Sequence, residues 1–210
     1  LGMNKAEAVK SQLQDLNSTV EIEIHSCFLE ADNALSLLTS YDIIIDATDN
    51  FEARYLLNKV SRQLKKPLVS ASIFQFDAQL SVFNYQEGPC YECLYPAPPP
   101  QGVIPNCVMG GVLGVLPSVV GGLQATEVIK LILGLDGVLS GKLLTLDLSC
   151  SQFSVFPIQK AATCCQTQCA KARLKTEVSE EEVMIKEMSV EKFAEVRAQS
   201  DYCLLDVRET

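Results

Sequence analysis

Histidine is almost absent from this chain: His25 is the only one, in an early alternating segment. With a single imidazole available, a Cys–His protease is disfavoured. Positive charge is scarce too. Seventeen Lys and Arg stand against 26 Asp and Glu, for a formal net charge of −9. No long basic cluster occurs, which argues against nucleic acid as a direct ligand. Nothing at the start reads as a signal peptide. The longest apolar stretch, residues 112–135, is interrupted by glycines, Pro117, Glu127 and Lys130. It is read as a buried helix and not as a membrane span.

What is present is enough for a core. Over 210 residues, 48% are hydrophobic and 20% charged, which allows one full domain plus extra sequence. The opening "LGMNKAEAVK" reads like the middle of a domain, so the chain is expected to be a fragment. Nine cysteines stand in a sequence without a secretory signal. Such usage points to metal or thiol chemistry in a reducing, cytoplasmic compartment and not to a disulfide framework.

Along the chain, Asn4 can cap a helix over residues 5–16, whose Ala6, Val9, Leu13 and Leu16 recur at helical spacing. "TVEIEIH" alternates like a strand, and residues 31–38 read as a short helix. "YDIIIDA" is a continuous apolar run, the mark of a strand covered on both faces of a parallel sheet. Helix is expected over residues 50–65 and strand over 67–71. This alternation predicts an α/β fold with a doubly wound, mostly parallel sheet. "QLSVFNY" is a further strand, and the loop after it carries "CYEC". "PAPPPQGVIPN" is too rich in proline for helix or sheet. Residues 111–133 read as a long helix packed closely through its glycines. "GKLLTLDL" and "QFSVFPI" resemble an antiparallel pair at the sheet edge. From residue 160 the composition turns polar and charged. After it, "SVEKFAEVRAQSDYCLLDVRE" gives one more capped helix and a strand.

"DIIIDATDNFEARYLLNKV" places Asp42, Asp46 and Asp49 around one buried run, and a helix starts beside Asn50. Open α/β sheets bind ligands where a strand ends and a helix begins, and a helix N-terminus favours an anion. Asp49 opposes an anion unless a cation lies between them. A magnesium-bound nucleotide meets both conditions, because Mg²⁺ takes one or two carboxylates plus phosphate oxygens. Equally, Asp49 could simply cap the helix.

These residues carry a resemblance. "DIIIDATDNFEARYLLN" resembles the strand–helix signature of the ubiquitin-activating-enzyme superfamily, in its sulfur-carrier-activating branch. "LGMNKAEAV", "PLVSASIFQFDAQLSVFNYQEGPCYECLYP" and "NCVMGGVLGVLPSVVGGLQATEVIKLILG" resemble further segments of that family, in its order. The likeness covers residues 1–169. It implies a Rossmann-like adenylating domain over residues 1–170, with its glycine-rich loop and arginine segment expected upstream of Leu1. It also implies a linker over 171–188. The tail from 189 to 210 resembles the opening of a rhodanese domain, the sulfurtransferase module of one group within the branch.

By the same resemblance, Asp49 and Asn50 bind Mg²⁺ and ATP, and Lys5 meets the phosphates. Cys107 is the nucleophile that takes an activated acyl group. Read from chemistry alone, Lys5 is a solvated lysine and Cys107 a small buried hydrophobe. "CYEC" has the spacing of half a zinc site. "TCCQTQC" departs from the family's second two-residue spacing: Cys165 and Cys169 are separated by three residues, a spacing zinc also accepts. The chosen ligands are Cys90, Cys93, Cys165 and Cys169, with Cys164 able to substitute; unpaired surface thiols are the alternative. Cys27, Cys150 and Cys203 are expected in the core. Arg54 and Asn58, one turn apart, read as a surface pair outside the site.

The function implied by the resemblance is ATP-dependent adenylation of a ubiquitin-like sulfur carrier at its C-terminal glycine, then acyl transfer to cysteine and sulfur transfer to a thiocarboxylate. That chemistry would serve molybdenum cofactor synthesis, tRNA thiolation or both. A cysteine desulfurase as sulfur donor and a homodimer are implied likewise, with no nucleic acid and no membrane as direct partner. The rivals are an adenylyltransferase without a sulfurtransferase domain, and an inactive zinc-binding scaffold that docks ubiquitin-like proteins. A dinucleotide oxidoreductase is weaker, since nothing resembles a hydride-transfer site.

Overall fold

The computed structural model describes residues 2–99, 111–162 and 164. Their order is α1 (Lys5–Leu16), α2 (Ala34–Leu38), β1 (Ile44–Asp46), α3 (Phe51–Leu64), β2 (Leu68–Phe74), β3 (Asp77–Phe83), α4 (Tyr91–Leu94), α5 (Leu116–Leu133), β4 (Lys142–Asp147) and β5 (Gln152–Pro157). The five strands form one mixed α/β sheet in the order β1-β2-β3-β4-β5. β1 and β2 are parallel, with Ile45 opposite Val69, and α3 makes the crossover between them. β2 through β5 are successively antiparallel, so the expected edge pair β4–β5 is present.

Strand alternation sorts the core into two halves. Val69, Ala71, Ala78, Leu80, Val82 and Leu146 meet Leu116 and Val120 of α5 on one face. Leu68, Phe83 and Ile44 meet Leu57 and Tyr91 on the other, beneath α3. Residues i and i+2 of a strand share a face, which is why Leu68 and Val69 join different clusters.

The helix ends follow local chemistry. The Asn50 side chain accepts from Ala53 N–H and starts α3, while Lys65, left-handed at φ 55°, closes it just before Pro67. Pro117 opens α5, and Gly134 at φ 61° ends it.

Four expectations are corrected. "TVEIEIH" forms no strand among the described residues, because an alternating pattern supplies a face but not the hydrogen-bonding neighbour a strand needs. Ile45 is 52% exposed, so the run around it is not covered on both faces. α5 buries only the stripe Leu116, Val120, Gln124 and Glu127 and leaves Ile129, Ile132 and Leu133 exposed. By length and composition alone it is apolar enough to cross a membrane, but that stripe packs on the sheet. A Cβ added at its Gly121 or Gly122 would meet no atom within 4 Å, so close packing through glycine does not occur there. The linker and tail readings, 171–188 and 189–210, lie outside the described residues.

Candidate functional site

The three aspartates around β1 have separate fates. Asp42 is exposed ahead of the strand. Asp46 is fully buried and spent: one carboxylate oxygen accepts from Thr48 N–H at 3.0 Å and Thr48 Oγ1 at 2.7 Å, and the other from Ser70 Oγ at 2.8 Å. Its carbonyl accepts from buried Gln124 Nε2 of α5 at 2.8 Å. These bonds pin the loop that follows β1. Asp49 is exposed, and Asn50 at 2.8 Å from Ala53 N–H does the capping. The Asp49 carboxylate accepts only a long 3.5 Å bond from Asn50 Nδ2 among the described residues. It stands unspent beside the first turn of a 14-residue helix, where Asn50 takes only the Ala53 amide with its side chain.

Lys5 is the exposed first residue of α1, behind Asn4, whose Oδ1 accepts from Ala6 N–H at 2.9 Å. No described contact joins Lys5 to Asp49. Val9, Leu13 and Leu16 of the same helix are all exposed. Cys107 lies outside the described residues. The described chain resumes at Gly111, which pairs with Gln75 at the β2–β3 turn: Gln75 N–H donates to Gly111 O at 3.2 Å, and Leu113 N–H to Gln75 O at 2.9 Å.

The metal expectation meets a cluster. Cys90, Cys93 and Cys164 bring their sulfurs within 4.8 Å of one another. Cys90 Sγ is 3.7 Å from Cys93 Sγ and 3.5 Å from Cys164 Sγ. Thiolates bound to zinc at about 2.3 Å in a tetrahedron stand roughly 3.8 Å apart, whereas a disulfide would bring sulfurs to about 2.05 Å. The donor set therefore fits a Cys-ligated tetrahedral metal ion. Cys164 is the third thiol; the chosen Cys165 and Cys169 lie outside the described residues. Burial pushes the Cys90 thiol up. Burial also works to raise Cys93, but hydrogen bonds outweigh it, led by Ala161 N–H at 3.4 Å, and hold its thiol below the ordinary range. A thiolate is the form a metal takes.

Cys27 and Cys150 are exposed, a correction to their core assignment; they sit in an irregular segment and in the β4–β5 turn, where no packed layer covers them. Cys203 lies outside the described residues. His25 is exposed and contacts Glu23 at 3.5 Å.

Two residues dismissed at the surface are structural. Asn58 has no exposed surface. It accepts from Tyr91 N–H at 3.0 Å and donates to Glu92 at 3.1 Å, tying α3 to the cysteine turn. Arg54 donates from Nη2 to Thr48 O at 3.0 Å and stands 5.4 Å from the centre of the Phe51 ring. Their clue was polarity on the face of α3 that also carries Leu57 and Ser61.

Several known proteins are similar. The chain is 50% identical over 165 residues to an adenylyltransferase and sulfurtransferase MOCS3 of Culex quinquefasciatus, covering 78% of this chain and 38% of that protein. Its likeness to the Aedes aegypti protein of that name is 55% over 147 residues, 70% of this chain and 34% of the relative. The Drosophila ananassae protein of that name is 37% identical over 225 residues, covering 99% of this chain and 50% of the relative. The chain thus spans half or less of the length of these curated relatives. Among solved structures, Escherichia coli MccB with ATP superposes with a TM-score of 0.64 at 18% identity, covering 79% of this chain and 51% of that one. PaaA gives 0.61 at 18%, covering 76% and 56%. At such identities these two establish the fold. The sequence pattern of the ThiF family matches residues 1–167, and the chain belongs to that family.

Proposed function

We propose that this chain is the greater part of the adenylating domain of a two-function enzyme that activates a ubiquitin-like sulfur carrier. The observation that carries the reading is the unspent carboxylate of Asp49 at the mouth of α3, with capping left to Asn50. Family membership and the printed names of the relatives support it.

In this reading Asp49 and Asn50 hold Mg²⁺ and the ATP phosphates, and Lys5 adds a cation. Mg²⁺ there would offset charge on the phosphates. The C-terminal glycine carboxylate of the carrier attacks the α-phosphorus of ATP, the bond to the β-phosphate oxygen breaks, and an acyl-adenylate and pyrophosphate form. Cys107 then displaces AMP to give a thioester. A persulfide on a downstream rhodanese domain, loaded by a cysteine desulfurase, attacks the thioester carbonyl, releases the Cys107 thiolate and forms an acyl disulfide. The Cys107 thiolate then attacks the rhodanese cysteine sulfur, so the S–S bond breaks, the thiocarboxylate leaves and a Cys107–rhodanese disulfide remains. Molybdenum cofactor synthesis, tRNA thiolation or both receive that sulfur. Support for the second domain comes from the D. ananassae alignment, which extends over 99% of the chain. Cys90, Cys93 and Cys164 or its neighbours hold Zn²⁺ and fasten the segment after β5 to the cysteine turn. The enzyme is cytosolic and a homodimer, and the exposed apolar residues Ile129, Ile132 and Leu133 of α5 support a second copy; Ile132→Glu is expected to shift sedimentation towards monomer.

The test is ATP–pyrophosphate exchange by the full-length protein with a Gly-Gly-ended sulfur carrier. Carrier-dependent exchange is expected. Absence of exchange with every ubiquitin-like carrier tried would overturn the proposal.

A further inference from the structure

Beneath α3 a small pocket opens on the sheet face opposite α5. Its walls include Arg54, Ser72, Gln79, Tyr91, Tyr95 and Leu143, and part of it opens to solvent. It is far smaller than the roughly 300–1,000 Å³ that encloses a whole small molecule. Only the terminal group of a ligand would enter it.

Its polar groups are out of balance. Among the described residues, Arg54 Nε is buried with no hydrogen-bond partner. Arg54 also forms no ion pair with a carboxylate among the described residues; it contacts the Thr48 carbonyl, the Phe51 ring and the neutral Tyr91 hydroxyl. Burial pushes the Tyr91 hydroxyl up to about 12 against the pull of Arg54, so it stays neutral and supplies no counter-charge. Tyr95 donates its hydroxyl to Gln79 Oε1, which leaves the Gln79 Nε2 donors without a partner among the described residues. Ser72, directly across the β2–β3 ladder from Gln79, has an unengaged hydroxyl among the described residues. By contrast Asp46, whose charge reaches Tyr91, already accepts hydrogen bonds from Thr48 and Ser70. A buried donor without an acceptor is costly, and a guanidinium prefers a planar anion that takes two of its N–H groups.

From this surplus of donors we propose that the pocket binds the free C-terminal carboxylate of the substrate protein, with Arg54 as its charge partner and Gln79 and Ser72 as neutral donors. The proposal rests on the adenylation reading and names the residue that recognises the acyl substrate before attack. A carboxylate is favoured over a phosphate by the walls: Phe83, Tyr91, Leu94 and Leu143 line the pocket, and beside such apolar groups a multiply charged phosphate costs more to desolvate than one carboxylate. Arg54 reaches the Thr48 carbonyl, one residue before Asp49, so a carboxylate held here lies beside the proposed nucleotide loop.

The experiment uses the full-length protein and a sulfur carrier ending in Gly-Gly, prepared as the free acid and as the C-terminal amide. Affinity for each is measured by calorimetry without nucleotide, and ATP affinity separately. Wild-type protein is expected to prefer the acid by about tenfold or more, the scale of one charge-assisted hydrogen bond. Arg54→Gln is expected to bind acid and amide alike while ATP affinity stays within about twofold. Gln79→Leu, which leaves the guanidinium in place, should reduce the preference partially and serves if the arginine variant does not fold. Retention of full acid preference in either variant would overturn the assignment, as would a loss confined to ATP affinity, which would mark a phosphate site. Carrier-dependent exchange without acid preference would sink the Arg54 proposal alone. Acid preference without exchange would sink the adenylation reading instead.

Discussion

Glu92, inside the cysteine turn, accepts hydrogen bonds from Asn58 and Arg62 of α3, both at 3.1 Å. Through this carboxylate the turn that carries Cys90 and Cys93 is fixed to the helix that starts at Asp49 and Asn50. Tyr55 strengthens the tie by donating to Tyr95 O at 2.7 Å. The acid loop therefore opens α3, and the cysteine turn is tied along its length at Tyr55, Asn58 and Arg62.

Replacing Glu92 with Ala leaves the fully buried Asn58 with an unmatched amide donor and removes the ion pair to Arg62. The expected loss is about 1–3 kcal/mol, read from the midpoint of denaturant unfolding. A change below about 0.5 kcal/mol, the level of an ordinary surface substitution, would show that the tie carries no weight.

Metal content separates the cysteines. Cys90→Ser, Cys93→Ser and Cys164→Ser are each expected to reduce bound zinc, measured by elemental analysis, and to lower the melting temperature as a strong chelator does. Cys27→Ser and Cys150→Ser, both at exposed positions, should retain full metal content. Equal zinc in all five variants would contradict the cluster.

The cap and the acid beside it are distinct in stability. Asn50→Ala is expected to cost about 1 kcal/mol, whereas Asn50→Asp, an equally good cap, should be near neutral. Asp49→Ala should change stability little, because its carboxylate closes no helix bond. A larger unfolding penalty at Asp49 than at Asn50 would reverse the assignment.

Alkaline pH tests the pocket wall. Burial raises Tyr91 from 10.0 to about 12, so the folded state holds its proton longer than the unfolded chain. Its stabilising effect is complete below pH 10 and falls as pH rises from 10 towards 12. Ultraviolet titration should show phenolate forming late in wild-type protein, and Tyr91→Phe should flatten the stability loss over that window. An unchanged pH profile in the phenylalanine variant would contradict this.

Much of this was readable in the chain. The apolar run before Asp46 placed β1, Asn50 and Pro67 bracketed α3, and "CYEC" announced the cysteine turn, because capping, φ restriction and ligand spacing are local effects. The rest depends on tertiary partners. Arg54 and Asn58 are at surface-like spacing, and the polar groups that receive them come from distant parts of the chain: Ser70, Ser72 and Gln79 beside Arg54, and Asn84, Tyr91 and Glu92 around Asn58. The alternation of "TVEIEIH" could not reveal whether a neighbouring strand stands ready to pair. α5 read as buried because it is apolar, yet the sheet needs only the stripe from Leu116 to Glu127.

The most direct test is turnover with the acid removed. Full-length Asp49→Asn, with unfolding stability within about 0.5 kcal/mol of wild type, is predicted to lose ATP–pyrophosphate exchange by at least two orders of magnitude. Exchange at the wild-type rate in that variant would contradict the account.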